Sequence, residues 1–136
     1  MSSYSREVFS FKKKKLRKYF QEQFNPVNSW NYIKDKHEIH FSNHFLERVI
    51  ERNLESEIFA ISQIIDYFYL TFFLPSSYTE RCYLIQLGML RIAIQISYSN
   101  TKQLRILTVK TVFSSDESYE FDELIELSAT INHKEK

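Results

Sequence analysis

The sequence predicts an α+β domain, with N-terminal helices packed on one face of an antiparallel meander sheet and a short acidic C-terminal helix. Three observations predict it. In the first half apolar residues recur at helical spacing, as in Val8, Phe9, Leu16, Phe20 and Phe24. In the second half Arg81 to Leu87, Met89 to Tyr98 and Gln103 to Phe113 alternate and are parted by short turns. A chain of 136 residues suits one domain around one core, and no repeat or linker divides it.

The first helix is expected over Ser5 to Phe24, stopped by Asn25-Pro26. Lys12 to Lys15 occupy all sides of one turn, so part of that run is merely solvated. Asn28 to Lys36 reads as a loop or short irregular helix anchored by Trp30, Tyr32 and Ile33, and Glu38 to Phe41 as a short extended entry. Next comes Phe41-Ser42-Asn43-His44-Phe45-Leu46-Glu47-Arg48-Val49-Ile50-Glu51-Arg52. Ser42 or Asn43 can cap this second helix, which ends near Asn53. Phe45, Leu46, Val49 and Ile50 form its apolar side, while His44, Arg48 and either Glu51 or Arg52 share a polar stripe. Glu55-Ser56-Glu57 restarts a helix with Ile58, Ile61, Ile64, Ile65 and Phe68 inward. The aromatic and β-branched residues between Tyr67 and Leu74 make a strand possible before Pro75-Ser76-Ser77.

For the meander, a turn at Leu87-Gly88 sets Ile85 opposite Leu90 and Tyr83 opposite Ile92. A loop at Ser99 to Lys102 sets Ile94 opposite Leu107, Ile92 opposite Val109 and Arg91 opposite Lys110. The helix-covered face then carries Ile85, Leu90, Ile92, Ile94, Leu107 and Val109, and the wet face Gln86, Arg91, Gln95, Thr108 and Lys110. A one-residue slip would exchange the faces. Ser114-Ser115-Asp116-Glu117 reads as a cap before an acidic helix over Glu117 to Leu127. Residues 1–4 and 128–136 are expected to fray.

The formal charge of +1 describes no polycation, yet basic residues crowd the start and acidic ones the end. Such asymmetry suits either a nucleic-acid-facing region or two solvated faces. Cys82 is the only cysteine, which excludes an intramolecular disulfide and a Cys-based structural zinc site. It reads as a small buried apolar strand residue in a chain from a reducing compartment. No signal-peptide core precedes the first helix, and Ser62, Gln63 and Asp66 interrupt the apolar run from Ile58 to Leu74. A cytoplasmic, monomeric protein with no membrane contact is expected. One glycine cannot build a phosphate-binding loop, and His37-Glu38-Ile39-His40 lacks the spacing of a metalloprotease helix, so no metal or cofactor is expected.

His44 and Arg48, one turn apart, could serve as acid–base group and phosphate ligand. Cleavage of RNA needs little more: a base for the 2′-hydroxyl, cations for the phosphorane and an acid for the leaving oxygen. From residue types alone, a plain amphipathic helix is the commoner explanation, with Glu47 and Glu51 as ion-pair partners of Arg48 and Arg52. Arg91 and Lys110, opposed and alike in charge, would either favour an anion between them or splay apart as two solvated side chains.

Two segments resemble the RegB family of sequence-specific endoribonucleases from T-even-type bacteriophages, within the wider RelE/ParE-like group. Glu7-Val8-Phe9 to Lys15-Leu16-Arg17-Lys18-Tyr19-Phe20 to Phe24 is similar to that family's opening helix. Ile39 to Leu54, with Ser42, His44, Leu46, Arg48, Ile50 and Arg52, is similar to its catalytic helix. Together they span under half the chain, in order and with similar spacing. The resemblance implies a RelE-like fold and metal-independent cutting of phage early mRNA in GGAG-like ribosome-binding sequences, in the host cytoplasm, leaving a 2′,3′-cyclic phosphate. It implies stimulation by a small-subunit ribosomal protein, His44 as catalytic histidine and Arg48 as its essential arginine. Arg52, Arg91, Lys110, Lys15 and Lys18 would then guide RNA. The family's second histidine, on the next helix, has no counterpart among Ser62, Gln63 and Tyr67, and Gln21 stands where the family has glutamate. His40, His37 or Tyr67 could fill the acid–base vacancy. The other function classes that fit are a non-catalytic RNA- or protein-binding module and a RelE/ParE-like toxin with an antitoxin partner.

Overall fold

The computed structural model describes residues 6–23, 37–75, 80–114 and 119–127. These form three α-helices and a five-stranded mixed sheet. In chain order they are α1 (Arg6–Gln23), β1 (His37–Phe41), α2 (Asn43–Glu51), a 3₁₀ turn (Glu55–Glu57), α3 (Ile58–Phe68), a π-helical turn (Tyr69–Phe73), β2 (Arg81–Leu87), β3 (Leu90–Ser99), β4 (Leu104–Ser114) and β5 (Glu123–Leu127). No described helix is long and apolar enough to cross a membrane. The expected anchors Trp30, Tyr32 and Ile33, the stops at Asn25-Pro26 and Ser76-Ser77, the cap at Ser115 to Glu117 and the tail after Leu127 lie outside the described residues.

The strand order is β1-β4-β3-β2-β5. The central meander is antiparallel as expected, but β1 joins β4 and β5 joins β2 in parallel. The helices cover one face. Leu16 and Phe20 of α1 reach the core, where the Phe20 ring lies 5.2 Å from Phe41 and 5.3 Å from Phe45. Phe45, Leu46, Val49 and Ile50 of α2 and Ile61, Ile64, Ile65 and Phe68 of α3 are buried with them. Salt bridges tie α1 across this layer, Lys13 to Glu47 at 2.8 Å and Lys12 to Glu55 at 3.0 Å. Glu47 thus pairs with α1 rather than with Arg48.

Four expectations are corrected. The first is register. Leu87 pairs with Leu90 and Ile85 with Ile92, so the turn is Gly88-Met89, with Gly88 at φ +62°. That φ lies in the left-handed region, which glycine enters without a Cβ penalty. The offset of two residues preserves the faces, so Ile85, Ile92, Ile94, Leu107 and Val109 are buried in the core, with Leu90 partly buried against it.

The second is the pair Arg91 and Lys110. A bulge at Ala93/Ile94 changes the pairing from Ile94 with Val109 to Ala93 with Thr111. Lys110 is the extra residue of that bulge, and Arg91 stands opposite Phe113. No like-charged cross-strand pair forms, and the argument for an anion between them falls. The open face is not uniformly wet either: Leu84, Ala93 and Phe113 form a small second cluster against Tyr119.

The third is the strand considered between Tyr67 and Leu74, which is a continuation of α3. Leu74 N–H donates to Tyr69 C=O at 2.9 Å, an i+5 bond. Phe68, Tyr69, Phe72 and Phe73 keep helical spacing, and that periodicity outweighs their strand propensity. The fourth is the acidic C-terminal helix: its described residues are irregular from 119 to 122 and then form β5. Asp122 N–H donates to Cys82 C=O at 2.8 Å while its Oδ2 accepts from Cys82 N–H at 2.7 Å. Ile125 then falls beside Ile85, facing the core.

Candidate functional site

The site begins with a helix cap. Ser42 Oγ accepts from Phe45 N–H at 3.0 Å and donates to Lys110 C=O at 2.7 Å, while Ser42 N–H donates to Val109 C=O at 3.1 Å. The start of α2 is thereby fixed where β1 leaves β4. Burial of Phe45, Leu46, Val49 and Ile50 sets the helix rotation, so its remaining side looks outward. His44 is exposed there, and Arg48 Nε donates to His44 Nε2 over a long 3.4 Å.

Arg17 reinforces the same junction from α1. Its guanidinium donates to Phe41 C=O at 2.8 Å and to Asn43 Oδ1. Beside it opens a cavity of about 440 Å³ between α1 and β1, lined by Arg17, Gln21, His40, Asn43 and Thr108 among others. His40 is exposed, and its Nε2 lies 2.7 Å from Glu38 Oε1. Glu38 and His40 are two apart on β1, so both point away from the helix-covered face.

The remaining candidates are dispersed. His37 is buried, bonded through Nε2 to Tyr69 Oη at 2.6 Å and flanked by the Phe73 ring. It is a packing residue, out of a substrate's reach. Tyr67 turns its ring edge-on to Phe72. Arg52 lines a different cavity, about 490 Å³, with Leu54, Leu87, Met89 and Phe113. On the open sheet face Arg91 Nε donates to Gln86 Oε1 at 3.0 Å and Lys110 Nζ to Gln95 Oε1 at 3.2 Å. Lys18 is exposed on α1, and so is Lys15, whose Nζ lies 5.4 Å from the Phe11 ring centre. Cys82 is only half-buried. Burial pushes its thiol up from the ordinary range; Lys110 opposes that shift and Asp122 adds to it.

Arg17 and Thr108 were missed as lining residues. Arg17 had one signal, its place beside the inward Leu16; Thr108 had none until β1 was known to pair with β4. Arg105 was missed as well. Its guanidinium is buried, donates to Phe73 C=O at 2.8 Å and stacks 4.4 Å from the Phe73 ring. Alternation with Leu107 and Val109 already placed it inward. Among the described residues no group of three or more His, Cys, Asp or Glu side chains could hold a metal ion.

Compared with known proteins, the chain matches no family model, no curated protein and no solved structure. The chemistry of its own residues therefore carries the functional reading.

Proposed function

We propose that the protein is a metal-independent endoribonuclease of RelE-like fold. It cuts mRNA in purine-rich, GGAG-like ribosome-binding sequences by attack of a ribose 2′-hydroxyl on the adjacent phosphate. The observation that carries this reading is the pair His44 and Arg48. They project from one side of a helix whose start is clamped by Ser42 and whose other side is buried. With Arg48 turned from His44 Nε2 to the phosphate, that nitrogen takes the proton from the 2′-hydroxyl as general base. Arg48 holds the scissile phosphate and offsets the charge that gathers on its oxygens. The exposed Lys15 and Lys18 extend the cationic track along α1. The same residues fit the RegB resemblance, from which the GGAG preference and a ribosomal-protein activator are taken.

The test is a purified protein, a labelled RNA with one GGAG element, and EDTA in the buffer. Cleavage at that element, lost by about 10²-fold or more in His44→Ala, supports the enzyme. Intact RNA that shifts on a gel makes the protein a binder, and intact RNA with no shift removes RNA from the account. Cleavage that requires magnesium rejects the chemistry.

A further inference from the structure

Transesterification of RNA needs an acid as well as a base, and α3 offers no histidine. On the endoribonuclease reading, we infer that His40, held by Glu38, is the acid that protonates the leaving 5′-oxygen. Three groups were open to that role, and their surroundings separate them. His37 is enclosed by Tyr69 and Phe73. Tyr67 packs on Phe72. His40 alone of the three is exposed, and it lines the cavity beside the start of α2.

Glu38 Oε1 sits 2.7 Å from His40 Nε2. A carboxylate there accepts a hydrogen bond from Nε2–H, fixes the ring, and in the imidazolium form leaves Nδ1–H as the atom that meets a substrate. The same division of labour lets a carboxylate orient a catalytic imidazole elsewhere. Glu38 is set two residues before His40 on the outward side of β1, so strand alternation supplies the alignment. Arg17 gives the cavity wall its positive charge. A guanidinium has five N–H donors, so its bonds to Phe41 C=O and Asn43 Oδ1 do not exhaust them for a phosphate oxygen. The chain from His40 to His44 passes only through Phe41, Ser42 and Asn43, so their Cα atoms stand no farther apart than about 14 Å, and the cavity that His40 lines is bounded by Ser42 and Asn43 at the start of α2.

The step balances without a further reactant. The 2′-oxygen loses its proton to His44 and forms a bond to phosphorus. The bond from phosphorus to the 5′-oxygen breaks, and that oxygen takes the proton from His40 Nδ1. The products are a 2′,3′-cyclic phosphate and a 5′-hydroxyl, and proton exchange with water restores both rings.

The test compares ordinary RNA with RNA carrying a 5′-bridging sulfur at the cleaved position, because a thiolate leaves without an acid. His40→Ala is expected to cut ordinary RNA about 10²- to 10⁴-fold more slowly, yet to cut the sulfur substrate near the wild-type rate. His44→Ala should be slow on both. Glu38→Gln should share the His40→Ala pattern in weaker form and add nothing in the double variant. The inference is overturned if His40→Ala keeps the wild-type rate on ordinary RNA, or loses as much on the sulfur substrate. Failure of the wild-type protein to cut either RNA rejects the endoribonuclease reading, and the acid role with it. Both side chains are solvent-facing, so circular dichroism of the variants should match wild type.

Discussion

Ser42 joins three parts of the molecule through one hydroxyl and one amide. Its Oγ caps α2 at Phe45 N–H and bonds Lys110 C=O, and its own N–H bonds Val109 C=O. Ser42→Ala should lower stability by about 0.5–2 kcal/mol, read as a lower urea midpoint. The same change should slow RNA cleavage, because the first turn that bears His44 loses its anchor. Cys82 tests the open face independently. Burial raises its thiol, so its reaction with a disulfide reagent should be slower than that of a small free thiol at pH 8 and should quicken as pH rises. Lys110 pulls the thiol back down, so Lys110→Ala should slow the reaction further. A Cys82 that reacts as fast as a small free thiol would contradict the packing of Tyr119 and Asp122 around it.

At the scale of the element, helices were the most legible part. Their inward residues recur at three and four, a local signal that needs no partner, and every described residue of α1, Arg6–Gln23, lies inside the expected helix. The meander faces were legible for the same reason, since a period of two survives an offset of two. The bulge at Ala93 and Ile94 was not, because an inserted residue leaves no mark in alternation until the partner strand is known. β5 was hidden by its charge: Glu123 and Glu126 suggest a helix face, and only pairing with β2 makes them strand residues. In the site, His44 and Arg48 were legible as a one-turn pair. The lining from Arg17 and Thr108 was not, because it depends on contacts between distant elements. The π-helical turn carries a further test. Tyr69 Oη bonds the buried His37, so Tyr69→Phe leaves a buried polar atom without that bond. The cost should be about 1–3 kcal/mol by thermal unfolding, with RNA cleavage unchanged at temperatures where the variant is folded.

For the whole molecule, one covered and one open sheet face divide the work. The covered face supplies the core that fixes α2, where Phe45 meets Phe20 and Phe41. Phe45→Ala should cost about 3–5 kcal/mol. Exposed cations stand on α1, whereas Arg91 and Lys110 of the open face are half-buried. Lys12 and Lys13 are already committed to Glu55 and Glu47, whereas Lys15 and Lys18 stand on exposed positions of α1. Replacing both of the latter by alanine should weaken RNA binding and reduce the salt slope of log K by about 0.7 for each phosphate no longer neutralised. Lys12→Ala and Lys13→Ala should leave that slope near its wild-type value. The central claim is that His44, on a fixed helix, drives cleavage of RNA at a single phosphodiester without a metal. Mass analysis of the 5′ fragment from a GGAG-containing RNA, incubated in EDTA with wild type or His44→Ala, tests it most directly. The account predicts a fragment ending in a 2′,3′-cyclic phosphate from the wild type and almost none from the variant. A fragment ending in a 3′-hydroxyl, or equal yields from the two proteins, would contradict it.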